Sequence, residues 1–128
     1  MIKFTIPVAP RTKKNSQRIF VRNGRPFIRP SKAYEKFEVD CLRTITGKYR
    51  LGIDYPVNIK AIYHVDRRNK VDITNLESAL MDTLVKAGVL KDDSALNPEI
   101  VVSTDGSRVI YDKENPRIEV EIEGVKKW

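Results

Sequence analysis

The spacing of apolar residues along the chain predicts two amphipathic helices. In the stretch 71–93, apolar side chains recur every three to four residues, which places them on one face of a helix. The residues of that face are Leu76, Leu80, Leu84 and Ala87. A second helix is predicted from an N-cap at Ser31 to about Thr46, with Gly47 closing it.

The ends of the helix in 71–93 are marked by residues with strong capping preferences. Its start is either Thr74, with Glu77 three residues later as in a capping box, or Asp72 acting as the N-cap. Gly88 is expected to end it, because glycine readily adopts the positive φ found after helix C-termini.

Alternation of apolar and polar residues predicts strands elsewhere in the chain. The strand candidates are residues 2–8, 57–65, 99–103, 109–111 and 117–123. Asn23-Gly24, between two apolar runs, is a strong hairpin signal. We therefore predict an α+β fold: a mixed sheet of about four to six strands, with the hairpin at one side and two helices packed on one face. The whole chain, 1–128, is predicted to form a single domain.

The same alternation predicts which side chains point away from the core. Glu119, Glu121 and Glu123 are expected to point outward, to repel one another, and to face solvent or a basic partner. His64 lies on the outward face of its strand and is expected at a surface or an interface. With no second histidine in the chain, a zinc site built on histidines is excluded.

Composition excludes several classes of protein. The 128 residues are 41% hydrophobic and 32% charged, as in ordinary globular chains. No apolar run approaches the roughly 18 residues of a membrane span, and the N-terminus lacks the pattern of a signal peptide. The one cysteine, Cys41, cannot form an internal disulfide. We expect a cytoplasmic protein that does not associate with membranes.

The net charge of +7 is unevenly distributed along the chain. Residues 1–34 contain nine basic residues and no acid, whereas most of the acids fall in the second half. A basic segment ahead of an acidic cluster suits a polyanion held near metal-binding carboxylates. The alternative is a solvated basic surface with no specific partner.

Acidic residues in and around the helix of 71–93 are candidate metal ligands. Magnesium prefers oxygen ligands and keeps several waters, so about two to four carboxylates suffice. The candidates are Asp72, Glu77, Asp82, Asp92 and Asp93. Each has an ordinary alternative: Asp72 as an N-cap, Glu77 as a capping-box partner, Asp82 as a solvated acid, and Asp92-Asp93 as a polar turn. A helix of about 14 residues is roughly 20 Å long, so the chain must fold back after it for Asp72 to meet Asp92-Asp93.

The order of residues in this stretch forms a recognisable motif. It reads Asp72-x-Thr74-Asn75-Leu76, then Asp82 and Leu84, then Lys86-Ala87-Gly88, and finally Asp92-Asp93. This motif resembles the RusA-type Holliday junction resolvases, which show D-x-D-N-L-x-K, a helix with an aspartate and a leucine, a glycine and a closing D-D. The resemblance covers residues 66–94 well and takes in the first strand, the helix near 32–46 and the last strand more loosely.

The resemblance implies a function and a set of site residues. It implies a homodimeric, magnesium-dependent endonuclease, with Mn²⁺ as an alternative ion, that cuts four-way DNA junctions by paired symmetric nicks. The metal-binding acids of the family would fall on Asp72 and Asp93, with Asp92 adjacent.

Two residues depart from the family pattern. Thr74 stands where the family has its second aspartate, and Ser78 stands where it has a lysine. Glu77 is a candidate for the missing carboxylate. Candidates for the missing cation are Lys70, Lys86 and Lys91.

Our leading hypothesis is a junction-resolving endonuclease. Asp72, Glu77, Asp92 and Asp93 would hold Mg²⁺, with Asp82 nearby. The predicted phosphate contacts are Arg11, Lys13, Lys14, Arg67, Arg68 and Lys70. One alternative is a catalytically silent protein of the same fold that binds junctions. A third hypothesis is an interaction protein whose basic surface is merely solvated, which predicts no salt-sensitive DNA binding.

Overall fold

The computed structural model describes residues 1–13, 18–29, 31–68, 71–91 and 100–126, with the backbone alone at 18–20 and 27–29. Its strands are β1 (Ile2–Ile6), β2 (Arg18–Arg22), β3 (Arg25–Arg29), β4 (Val57–Val65), β5 (Val101–Ser103), β6 (Arg108–Tyr111) and β7 (Arg117–Gly124). Its helices are α1 (Lys32–Thr44) and α2 (Ile73–Lys86), with a 3₁₀ turn at Gly47–Tyr49. Within the described part of the chain, no helix has the length and apolar character needed to cross a membrane.

β4 is the centre of a mixed five-stranded sheet. β7 runs antiparallel along one edge of β4, and β1 runs antiparallel along the far edge of β7. On the other edge of β4, β5 pairs in parallel with its first residues and β6 pairs in parallel with its last residues. The predicted α+β fold with a mixed sheet is confirmed.

β2 and β3 form the predicted hairpin. Asn23 and Gly24 have φ values of 54° and 75°, the positive values that a tight two-residue turn requires. Among the described residues, these two strands pair with each other as a separate two-stranded sheet. Residues 21–26 are all exposed, so no described apolar face draws this hairpin onto the larger sheet.

Both helices contribute to one core on one face of the sheet. Alternate residues of β4, beginning with Val57 and ending with Val65, are buried in this core. The helix residues that pack there include Leu76, Leu80 and Leu84 of α2 and Tyr34, Phe37 and Cys41 of α1. Full burial of a leucine contributes about 1.5–3 kcal/mol, so these side chains hold α2 firmly against the sheet.

Two of the predicted helix caps are confirmed. The hydroxyl of Ser31 accepts a hydrogen bond of 3.1 Å from the backbone N–H of Tyr34 at the start of α1. Gly88 follows the last residues of α2 with a φ of 77°, a conformation that favours glycine.

α1 ends earlier than predicted. Its last helical residue is Thr44 rather than Thr46, and Gly47 begins the 3₁₀ turn instead of closing the helix. The guanidinium of Arg50 donates a hydrogen bond of 3.1 Å to the carbonyl of Ile45, directly after the helix. Because basic side chains can satisfy terminal helix carbonyls, α1 ends without a glycine cap.

The outer face of the sheet carries ion pairs where the sequence suggested repulsion. Glu119 lies 2.7 Å from the guanidinium of Arg117 and 2.9 Å from Nε2 of His64, and Glu121 lies 3.5 Å from the ammonium of Lys3. His64 is only 7% exposed, so of the two positions expected for it, surface or interface, the surface position is wrong. Lys3 reaches Glu121 from the neighbouring strand β1, whereas Arg117 lies two residues before Glu119 on the same face of β7.

The segment after β1 is fastened to the rest of the molecule by two ion pairs. The guanidinium of Arg11 donates two hydrogen bonds, of 2.8 and 2.9 Å, to the carboxylate of Asp66 just beyond β4. The ammonium of Lys13 lies 3.2 Å from the carboxylate of Asp82 on α2. The hydrogen bond from Arg11 is the largest influence on the pKa of Asp66 and lowers it from its usual value.

Replacing Asp66 with asparagine tests the contribution of the Arg11–Asp66 ion pair to stability. At neutral pH we expect Asp66→Asn to lower the free energy of unfolding by about 1 kcal/mol, since the pair is partly exposed. Because the folded-state pKa of Asp66 is lowered, its contribution is present above the unfolded pKa, about 3.9, and is lost as the pH falls through the folded value. Urea unfolding of both proteins, followed by circular dichroism at neutral and acid pH, measures this.

The exposed turn residue Asp105 provides the matched control. Asp105→Asn removes the same charge from a carboxylate with no ion pair among the described residues, so stability should be unchanged. The ion-pair interpretation would be contradicted if the difference in the free energy of unfolding between Asp66→Asn and wild type stayed constant from neutral to strongly acid pH.

Candidate functional site

Asp72 begins α2 and keeps part of its carboxylate free. Its Oδ1 accepts a hydrogen bond of 2.9 Å from the backbone N–H of Thr74, and its carbonyl accepts the N–H of Asn75 at 3.0 Å. Asp72 is therefore the N-cap, one of the two predicted alternatives. The side chain is exposed, and its Oδ2 has no hydrogen bond or ion pair among the described residues. Capping consequently leaves one carboxylate oxygen available to a ligand.

Glu77 does not form the predicted capping box with Thr74, because the helix begins at Asp72 rather than at Thr74. Glu77 is half-buried, near the ring of Tyr63 on β4. Burial raises the pKa of the Tyr63 phenol, and the negative charge of Glu77 adds to this effect. The Tyr63 hydroxyl is itself buried and has no hydrogen-bond partner among the described residues. The charge of Glu77 therefore acts on a buried hydroxyl that has no described hydrogen-bond partner.

Asp82 lies farther along α2 and has a cationic partner. Its carboxylate pairs with Lys13 at 3.2 Å, and it lies near Tyr34 of α1. Ten residues separate Asp82 from Asp72, which corresponds to roughly 15 Å along the helix axis. In the parts of the chain that the structure describes, no group of three His, Cys, Asp or Glu side chains is placed to hold one metal ion.

Asp92 and Asp93 fall outside the described residues, but the chain leading to them is placed. The N–H of Leu90 donates to the carbonyl of Leu84 at 3.3 Å, and the N–H of Lys91 donates to the carbonyl of Ile53 at 2.9 Å. As far as Lys91, the chain therefore remains at the C-terminal end of α2, roughly 20 Å from its N-terminal end. The predicted return of the acidic pair towards Asp72 stays a prediction.

The predicted phosphate contacts divide into paired and unpaired groups. Arg11 and Lys13 are held by Asp66 and Asp82, as described above. The guanidinium of Arg68 lies over the ring of Tyr111, 4.7 Å from its centroid. Arg67 is exposed and has no ion pair among the described residues. Lys14 and Lys70 lie outside the described residues.

Two basic residues near this group were not predicted from the sequence. Lys36 and Arg43 of α1 line a cleft of about 510 Å³ together with Arg11 and Arg67. Their spacing of seven residues, two helical turns, places both on one polar face of α1 and is the signal that would have identified them. The predicted candidates came from the segment after β1 and the loop before α2, and the prediction of α1 rested on its apolar face alone.

The described residues include one carboxylate that fits the requirements of a magnesium ligand. Mg²⁺ is often bound through one or two carboxylates with waters completing its octahedron. The free Oδ2 of exposed Asp72 is a hard oxygen donor of that kind and fits as one ligand. The candidates for further carboxylates are Glu77, five residues along the chain, and Asp92 and Asp93.

Comparison with known proteins agrees with these observations. A family model described as Endodeoxyribonuclease RusA matches residues 7–123, which include both helices and the acidic positions from Asp72 to Asp93. No match is found among the curated proteins. Since the matched region covers nearly all of the 128 residues, the chain belongs to the RusA family of endodeoxyribonucleases.

Proposed function

We propose that this protein is a metal-dependent endonuclease that resolves four-way DNA junctions by paired, symmetric cuts. The observation that carries the proposal is the Asp72 carboxylate, exposed at the start of α2 with one oxygen free, in a chain of an endodeoxyribonuclease family. The exposed guanidinium groups of Arg67 and Arg68 lie five and four residues before it. A free carboxylate oxygen within a few residues of exposed cations suits a phosphodiester held against a bound metal.

Each residue of the proposed site has a distinct task. Asp72, with Asp93 and Asp92, would hold the magnesium ion, and Glu77 would supply the carboxylate that the family has at Thr74. Bound magnesium would activate a water molecule and neutralise charge on the transferred phosphate. Arg67 would hold a phosphate oxygen of the substrate strand. Because such contacts are sequence-independent, binding should depend steeply on salt.

The cation that replaces the family lysine is best assigned to Lys70. Lys86 pairs with Glu38 at 2.8 Å and lies at the far end of α2 from Asp72. Lys91 follows that same end of the helix. Lys70 is two residues before Asp72, within reach of a phosphate bound there.

The alternative function is a silent protein that binds junctions without cutting them. It is favoured by the absence of an acid at position 74 and of a lysine at position 78. Thr74 and Ser78 are both exposed, so neither side chain is required by the core. Cleavage distinguishes this alternative from the proposed nuclease, since both bind junctions.

Replacing Asp72 with asparagine tests the proposed role of its carboxylate. Asparagine caps helices about as well as aspartate, so Asp72→Asn should fold with wild-type stability. We expect cleavage of an end-labelled four-way junction in Mg²⁺ to fall at least about 100-fold, or about 2.7 kcal/mol. Junction binding measured without divalent metal should be retained or strengthened, because a negative charge is removed.

Controls make each outcome of this experiment interpretable. Asp105→Asn should cut as wild type does, and linear duplex and single-stranded DNA serve as substrate controls. Metal-dependent cutting that survives in Asp72→Asn would refute Asp72 as a ligand. Salt-sensitive binding by wild type with no cutting in Mg²⁺ or Mn²⁺ would establish the silent alternative.

We further propose that the protein acts as a homodimer whose two sites are each completed by both protomers. Two symmetric cuts require two sites related by a two-fold axis. In one protomer, Asp72 lies at one end of α2, and Leu90, two residues before Asp92, is bonded to Leu84 near the other end. A partner placed across the axis would bring its Asp93 to Asp72 without requiring the chain to return along the helix.

Mixing two inactive variants tests this arrangement. Asp72→Asn and Asp93→Asn are each expected to be inactive alone. In a mixed dimer with shared sites, one site loses both ligands and the other keeps both. An equimolar mixture should therefore nick junctions at roughly a quarter of the wild-type rate, giving single nicks rather than paired cuts. A mixture as inactive as its components, after confirmed subunit exchange, would mean that both ligands come from one protomer.

A further inference from the structure

The cleft beside α1 has an apolar floor and a basic rim. It lies between the segment that follows β1 and the exposed side of α1, and Arg67 borders it from the end of β4. Val8, Ala9 and the buried ring of Phe37 form the floor. Its volume of about 510 Å³ lies within the range of ordinary ligand sites.

Within the described part of the chain, charge pairing in the cleft leaves two guanidinium groups without an ion-pair partner. Lys36 lies 2.8 Å from the carboxylate of Asp40, and Arg11 is bonded to Asp66. These four charges therefore largely cancel. Arg43 and Arg67 are exposed, and neither has an ion pair among the described residues. The cleft therefore has a local excess of two positive charges.

We propose that this cleft binds the sugar–phosphate backbone of a DNA strand leading away from the cut site. The phosphate would lie between Arg43 and Arg67, and the deoxyribose would pack on the floor at Val8 and Phe37. An occupant with an anionic group next to an apolar ring matches this combination of rim and floor. The inference rests on the proposed function, because it takes the strand to be part of the junction substrate.

The position of Arg67 relates the cleft to the proposed site of cutting. Five residues separate Arg67 from Asp72, so their Cα atoms are at most about 18 Å apart. At about 3.4 Å per nucleotide, this is no more than roughly five nucleotides of a strand. A junction arm cut near Asp72 therefore passes within reach of the cleft.

This assignment also changes the role of Arg11. Its guanidinium is engaged by both carboxylate oxygens of Asp66, so it orients the loop that bears Arg67. We assign Arg11 as a positioning residue and Arg43 as a phosphate contact. The N–H donors of Arg11 are already engaged by Asp66, whereas Arg43 has no ion pair among the described residues.

The test is equilibrium binding of a fluorescent four-way junction without divalent metal, measured by anisotropy over a range of salt concentrations. Losing one phosphate contact should lower the log–log salt slope by about 0.9 and weaken binding about eightfold at roughly 0.1 M salt. We expect this for Arg43→Gln and for Arg67→Gln. Arg43→Lys keeps the charge and should keep the slope.

Arg108→Gln is the matched control. Arg108 is exposed on β6, and its register partner, Ile62, alternates with the core-facing residues of β4, so it lies on the opposite face of the sheet from the helices. It should bind as wild type does. Ala33→Trp fills the cleft without changing any charge and should weaken binding while leaving thermal unfolding unchanged, since Ala33 is exposed.

The outcomes separate this inference from the proposed function. If wild type binds and cuts the junction but Arg43→Gln behaves as Arg108→Gln does, the cleft assignment is wrong and the nuclease proposal stands. If Arg43→Gln and Arg108→Gln weakened junction binding equally, the effect would be a general electrostatic one, and the cleft assignment would also be wrong. A wild-type protein without salt-sensitive junction binding would overturn both.

Discussion

The side chains of β4 that face the core alternate with polar ones, and both helices depend on the apolar surface that they form. Val57, Ile59, Ala61, Tyr63 and Val65 are each no more than 6% exposed. A slip of one residue in the pairing of β4 would turn Asn58 and Lys60 into the core instead, so the register is strongly specified. The leucines of α2 have a single surface on which to pack. The direction of α2 and the position of its first residue follow from this contact.

Asp72 shows how a structural and a chemical task can share one side chain. A helix N-terminus requires a hydrogen-bond acceptor for its free N–H groups, and one carboxylate oxygen of Asp72 meets that need. The other oxygen remains exposed and unpaired among the described residues. A hydroxyl or amide cap would also accept this hydrogen bond but would bring no negative charge to this position. That charge favours the helix N-terminus and would equally suit a bound cation.

The basic residues of the N-terminal third differ in function although they look alike in sequence. Arg11 and Lys13 are bonded to carboxylates brought close by the fold, and they connect the segment after β1 to β4 and α2. Arg43 is not paired in this way among the described residues. A guanidinium that is engaged by both oxygens of a carboxylate has fewer donors for a phosphate than a free one. Net charge thus indicates a polyanion partner, whereas the pairing of individual charges indicates where that partner would bind.

Local pattern determined most of the architecture, because periodicity and capping act over a few residues. The helical face of Leu76, Leu80 and Leu84, the Asn23-Gly24 turn and the start of α1 at Ser31 all follow from it. The family motif, with its acids at 72, 92 and 93, was also visible without a structure.

Tertiary structure decided the contacts between residues that are distant in sequence. Glu119 of β7 lies next to His64 of β4, and Arg50 donates to a carbonyl at the end of α1. Arg11 is bonded to Asp66 over a separation of 55 residues. Tertiary structure also brought Arg43 and Arg67 to the same cleft. Sequence spacing carries no information about such contacts, because they form only when packing of the core brings separate elements together.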